Sequence, residues 1–100
     1  MTEQQAIRRI CRKLIEQGYL INVEDGNGSY TGPSNDLRNI VAEITAFADD
    51  CSVRVHRRDN ERIGSLLFVF GNAPDEVLAD WSCKDGLDGP LGKFLDKLIS

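Results

Sequence analysis

The residues able to do chemistry are few and scattered along the chain. His56 is the single histidine, so a histidine-based metal set or a catalytic triad would need completing from Cys11, Cys51, Cys83 and carboxylates. The cysteines form no CxxC pair and match no recognised zinc-ligand spacing; they read as reduced, mostly buried thiols. Asp49-Asp50 and Asp75-Glu76 are adjacent carboxylates. Neighbours in sequence project differently and are usually solvated, which argues against a shared general acid/base role. Gly26-Asn27-Gly28 lacks the Lys-Ser/Thr of a phosphate loop and leads into a strand rather than a helix, so it reads as a hairpin turn. His56 reads as a solvent-exposed strand histidine without an oriented partner. No metal and no cofactor is expected, and a small enzyme would require a pocket joining His56 or a cysteine to carboxylates.

What remains is charge. Eight of the twelve Lys and Arg residues lie in two windows, Arg8, Arg9, Arg12 and Lys13, then Arg54, Arg57, Arg58 and Arg62, in a chain of net charge -4. The overall sign disfavours general affinity for nucleic acid or an anionic membrane, while clustered charge still acts locally on an acidic partner. Arg8 and Arg12 are four apart, as are Arg9 and Lys13, so a helix would stack like charges at a cost of a few tenths of a kcal/mol per pair. The plainer reading is a solvated face neutralised by Glu3, Glu16 and acids from elsewhere in the fold. The functional reading is docking, with Arg8, Arg9, Arg12, Lys13, Arg54, His56 and Arg58 as the candidate contact residues. For nucleic acid, an exposed sheet platform would need aromatics beside the basic groups. Tyr19, Tyr30 and Trp81 lie outside both windows, so a protein partner is preferred and nucleic acid, through Arg8, Arg9, Arg12, Lys13, Arg54, Arg57 and Arg58, is the alternative.

The elements that would position these groups follow from periodicity. Over residues 2 to 17, Ile7, Ile10, Cys11, Leu14 and Ile15 recur at spacings of three and four, with Thr2 and Gln5 placed for a capping box and Gly18 for closure. From Tyr19 to Val23 the period becomes two, and the turn at 25 to 28 predicts a short return strand over Ser29 to Thr31. A second helix follows Asp36 with Leu37, Ile40, Val41, Ile44 and Phe47 as its apolar stripe. Residues 51 to 70 read as a second hairpin turning at Asp59-Asn60. A two-residue loop sets Arg58 opposite Glu61, whereas a three-residue loop sets Arg58 opposite Arg62, and the avoidance of opposed like charges selects the former. Val53 and Val55 then share a face with Leu66 and Phe68, while Arg54, His56 and Arg58 face away. The run Leu66 to Phe70 reads as a central strand covered on part of both faces.

Residues 76 to 82 fit either a helix or a strand; the short length between Pro74 and Gly86 favours a strand with Val77, Ala79 and Trp81 on one side. A third helix follows Gly89, burying Leu91, Phe94, Leu95 and Leu98. The order α-β-β-α-β-β-β-α describes an α+β two-layer domain, an antiparallel sheet of about four to five strands with three helices, within one domain spanning residues 1–100. The five-residue apolar run Leu66 to Phe70 is far short of a bilayer span, and the polar N-terminus lacks a secretory signal, so a cytoplasmic protein is expected.

The segment Phe70-Gly71-Asn72-Ala73-Pro74-Asp75-Glu76-Val77-Leu78-Ala79-Asp80-Trp81-Ser82 resembles the "YGN, acidic residue, VIADYS" segment of small proteobacterial proteins found on prophages and plasmids. Phe70 and Trp81 stand where those proteins carry tyrosines. The resemblance implies an accessory protein of a mobile element and supplies no catalytic residue. The expectation is a non-enzymatic interaction or regulatory protein that binds a host protein, with self-association through a sheet edge as a further possibility.

Overall fold

The computed structural model describes residues 2–25, 27, 29–30, 32–47, 49–59, 61–71, 76–83 and 92–93. Helix α1, Glu3–Glu16, starts where the sequence predicts. Thr2 Oγ1 accepts the Gln5 N–H at 3.1 Å and Gln5 Oε1 accepts the Thr2 N–H at 2.9 Å, so two donors at the helix start are satisfied reciprocally. At the other end Gly18 has φ +93°, which turns its N–H to the Ile15 carbonyl at 2.9 Å and the Tyr19 N–H to the Leu14 carbonyl at 3.1 Å. Gly18→Ala is expected to cost about 1 kcal/mol, because a Cβ there meets only ordinary contacts and the positive φ alone opposes it. A thermal melt against wild type checks this.

Ala6, Ile7, Cys11 and Leu14 form the buried face of α1, and Ile10 and Ile15 flank it half-buried. Helix α2, Leu37–Thr45, is capped by Asp36, whose Oδ1 accepts the Asn39 N–H at 3.4 Å while its Oδ2 accepts from Asn39 Nδ2 at 3.0 Å. It buries Ile40, Val41 and Ile44.

Four strands, β1 (Leu20–Val23), β2 (Asp50–His56), β3 (Arg62–Val69) and β4 (Leu78–Cys83), form one antiparallel sheet in the order β1-β2-β3-β4. Val53 pairs with Leu66 and Cys51 with Phe68, the register the alternation predicts. Ile21, Val23, Cys51, Val53, Val55, Leu66 and Phe68 face the two helices and form the core with them. The α+β class and the antiparallel sheet therefore stand as expected, with two helices and four strands among the described residues.

Three expectations are corrected. Of the short strand expected at 29 to 31, the described residues show no ladder: Ser29 is in no strand and Tyr30 makes an isolated bridge with Glu24, while residue 31 lies outside the described residues. Side chains take the Ser29 donor and those on either side of the segment: Asp25 Oδ1 accepts the N–H groups of Asn27 and Ser29, and Asn22 Oδ1 accepts that of Gly32 at 2.8 Å. The chain then crosses the outer edge of β1, where Ile21 and Ser34 exchange two backbone hydrogen bonds of 2.8 and 2.9 Å.

The tip of the β2–β3 hairpin also differs. Ile63 is an extra residue between the pairs Val55/Gly64 and His56/Arg62, so Arg57, not Arg58, lies opposite Glu61 and makes the ion pair with it. Glu61 thus meets an arginine as expected, but Arg57 in place of Arg58, because a bulge admits a register that neither simple loop offers. In the segment 76 to 82 the strand is confirmed, but its facing is not. A second bulge, at Ala79, leaves that residue exposed, while Leu78 and Trp81 pack on the core beside buried Val77. The predicted third helix lies outside the described residues apart from Gly92 and Lys93, both helical. No helix among the described residues is long and apolar enough to cross a membrane.

Candidate docking surface

The apolar stripe of α1 faces the sheet, which turns the other side of the helix to solvent. Arg8, Arg9 and Arg12 are exposed there and Lys13 is half-buried. The two acids of α1 itself, Glu3 and Glu16, do little to neutralise this face. Glu3 Oε2 instead accepts the backbone N–H of Gly71 at 2.9 Å, tying the start of α1 to the end of β3. Glu16 lies 3.9 Å from Arg12, with both side chains more than half exposed, a pair that water screens heavily. Arg8 and Arg9 have no described carboxylate within ion-pair distance.

The second window is divided among three environments. Arg58 is exposed, with Nε 3.5 Å from the position a Cβ on Gly18 would take, so its guanidinium sits at the C-terminal end of α1, where a cation complements the helix dipole. The hairpin tip and the end of α1 thereby border a cleft of about 330 Å³ lined by Glu16, Gln17, Tyr19, Arg57 and Arg58. In this way the fold brings the C-terminal end of α1, one turn beyond the first basic window, beside the second. Arg54 is drawn instead onto the outer face of the sheet, its guanidinium carbon 3.8 Å from the centroid of Tyr30. Arg62, exposed, lines a shallow groove of about 190 Å³ on that face together with Tyr30, Ser52, Ser65, Asp80 and Ser82. The Ser65 and Ser82 hydroxyls are 2.8 Å apart across β3 and β4.

His56 is not the exposed strand histidine that alternation suggests. Only 8% of it is accessible, so of the seven candidate contact residues it has the least surface to offer a macromolecule. The residue that sequence reasoning misplaced is Tyr30, which lies outside both basic windows in the chain but against Arg54 in the fold. The sequence signal was the glycine-rich stretch between Asp25 and Ser29; in the fold Tyr30 bridges Glu24 and lays its ring on Arg54.

Two of the three thiols are withdrawn from solvent. Cys11 and Cys51 are buried thiols whose pKa values are pushed up to about 12. Burial is the main cause for both; the charge of Cys51 adds to it at Cys11, and Glu24, Asp50 and Glu43 add to it at Cys51. Folding favours the protonated thiols, so their contribution to stability is complete below the ordinary value of 9.0 and is lost as the pH rises from there towards 12. The denaturant midpoint should fall over that interval. At pH 8 a thiol-reactive disulfide reagent should modify half-buried Cys83 first and reach Cys11 and Cys51 only on unfolding. Among the described residues no three His, Cys, Asp or Glu side chains are grouped to hold a metal ion. Comparison of the chain with protein-family models, with curated proteins and with solved structures gives no match.

Proposed function

We propose that this protein is a non-enzymatic binding protein that docks onto an acidic surface of a host protein through the solvent face of α1. The observation that carries this reading is the exposure of Arg8, Arg9 and Arg12, which among the described residues meet a single, solvent-screened carboxylate, Glu16 beside Arg12, while Glu3 is committed to Gly71. A helix face that stacks like charges at i and i+4 is mildly unfavourable in the free protein, and an acidic partner would relieve it. Arg58, beside the end of α1, extends the same surface onto the hairpin. The role as accessory protein of a mobile element rests on the resemblance of residues 70 to 82 and belongs to the same proposal. The test is an affinity pull-down from host lysate with wild type and with a variant carrying Glu at positions 8, 9, 12 and 13. Prey captured by wild type and missing with the variant supports docking through α1; identical prey overturns it.

A second reading has its own observation. Tyr30 over Arg54, with Arg62 in the adjoining groove, places an aromatic ring and two guanidinium groups on the outer sheet face, the combination used for single-stranded nucleic acid. Asp80 in the same groove opposes it. A labelled single strand that shifts in low salt, less so in high salt and with the Tyr30→Ala variant, would favour this reading; no shift at low salt removes it.

A further inference from the structure

The sheet has two edges, and they are treated differently. The edge of β1 is closed from within the chain by the Ile21/Ser34 and Glu24/Tyr30 bridges. Beyond β4 there is no further strand among the described residues, and six residues are enough to pair with a neighbour. Trp81 lies opposite Leu66, yet its N–H is bound by the Asp80 carboxylate, at 2.8 Å, and not by β3. That N–H therefore belongs to the outward side of β4, the side on which an added strand would need it. Two residues earlier, Ala79 bulges and breaks the spacing of the outward groups.

From these facts we infer that Asp80 guards the β4 edge: its carboxylate, with the bulge at Ala79, prevents β4 from pairing with β4 of a second copy. The physical reason is that such pairing would have a two-fold axis, so each feature counts twice. With the axis near Trp81, the Trp81 N–H of each copy would have to leave its carboxylate to reach the other chain. Both Asp80 side chains would then lose a hydrogen bond, shed water and approach a like charge. Without the carboxylate, the Trp81 N–H is an open donor on an edge whose exposed side chains at 79 and 82 are small. The sequence Leu78-Ala79-Asp80-Trp81-Ser82-Cys83 has one charged residue, and removing it leaves a neutral strand.

Sedimentation velocity over a concentration series tests this with wild type, Asp80→Ala, and Asp80→Ala combined with Ala79→Lys. Wild type is expected to remain monomeric, Asp80→Ala to self-associate at least about tenfold more tightly, and the added edge lysine to restore the monomer. Circular dichroism confirms folding; if Asp80→Ala does not fold, Asp80→Thr, which favours a strand, carries the same expectation. Three results would overturn the inference: a wild type already dimeric through β4, a folded Asp80 variant as monomeric as wild type, or association that the lysine does not reverse.

Discussion

Reversing Arg8, Arg9, Arg12 and Lys13 to Glu is expected to lower affinity for an acidic partner by about a hundredfold or more, because four attractions become four repulsions and each tenfold corresponds to about 1.4 kcal/mol. Folding should change little. The three arginines are exposed, and none of the four residues belongs to the buried face of α1, which is Ala6, Ile7, Cys11 and Leu14. Substitutions at such surface positions usually alter stability by no more than about 0.5 kcal/mol each. The helix cap depends on Thr2 and Gln5, which the variant retains. A binding isotherm and a thermal melt on the same variant therefore separate the two effects. The wild-type interaction should also weaken with salt, since the charges lie at the surface within reach of screening ions. Lost binding with an unchanged melt supports docking through α1, whereas a lowered melt would mean that the basic face is needed for folding.

Phe68→Ala should have the largest effect on stability, at about 3 to 5 kcal/mol. Phe68 is fully buried in β3, pairs with Cys51 on β2 and with Leu78 on β4, and belongs to the cluster that holds both helices on the sheet. Removing the ring leaves a cavity at the junction of the two layers, and the neighbours can relax into it only in part. A domain of this size has a total stability of about 5 to 15 kcal/mol, so the variant should unfold at much lower urea or be unfolded in buffer. Leu67→Ala is the internal comparison. Its side chain is half-buried on the opposite face, beside the groove, and its loss should cost distinctly less. Equal losses at the two positions would show that the outer face carries as much of the core as the inner one.

The helices and the main hairpin were legible because their signals are local. Thr2 and Gln5 are three residues apart, Gly18 follows the last turn of α1, and the stripe of α2 repeats within nine residues. The same is true of Val53, Val55, Leu66 and Phe68, whose alternation sets the strand register without reference to the rest of the chain. The strand at 78 to 83 was reached by a different route, from the short distance between Pro74 and Gly86, which left too little room for a helix. Its facing was missed because the Ala79 bulge breaks the period of two on which the assignment of faces rested.

The candidate surface divides along the same line. That Arg8, Arg9 and Arg12 face solvent was determined by the sequence, since a helix with one apolar stripe must turn its other side to water. Which acids neutralise them was a tertiary matter: Glu3 is held by Gly71, 68 residues away, through a contact that no spacing rule encodes. The bulge at Ile63 gave Glu61 to Arg57, the return of the 25 to 34 segment laid Tyr30 over Arg54, and the packing around β2 buried His56. Periodicity and capping depend on neighbours within about one helical turn, so the sequence alone determined them. Bulges, ring stacking and the placement of lone charges depend on how separate elements twist and meet, and only the assembled sheet and helices decided those.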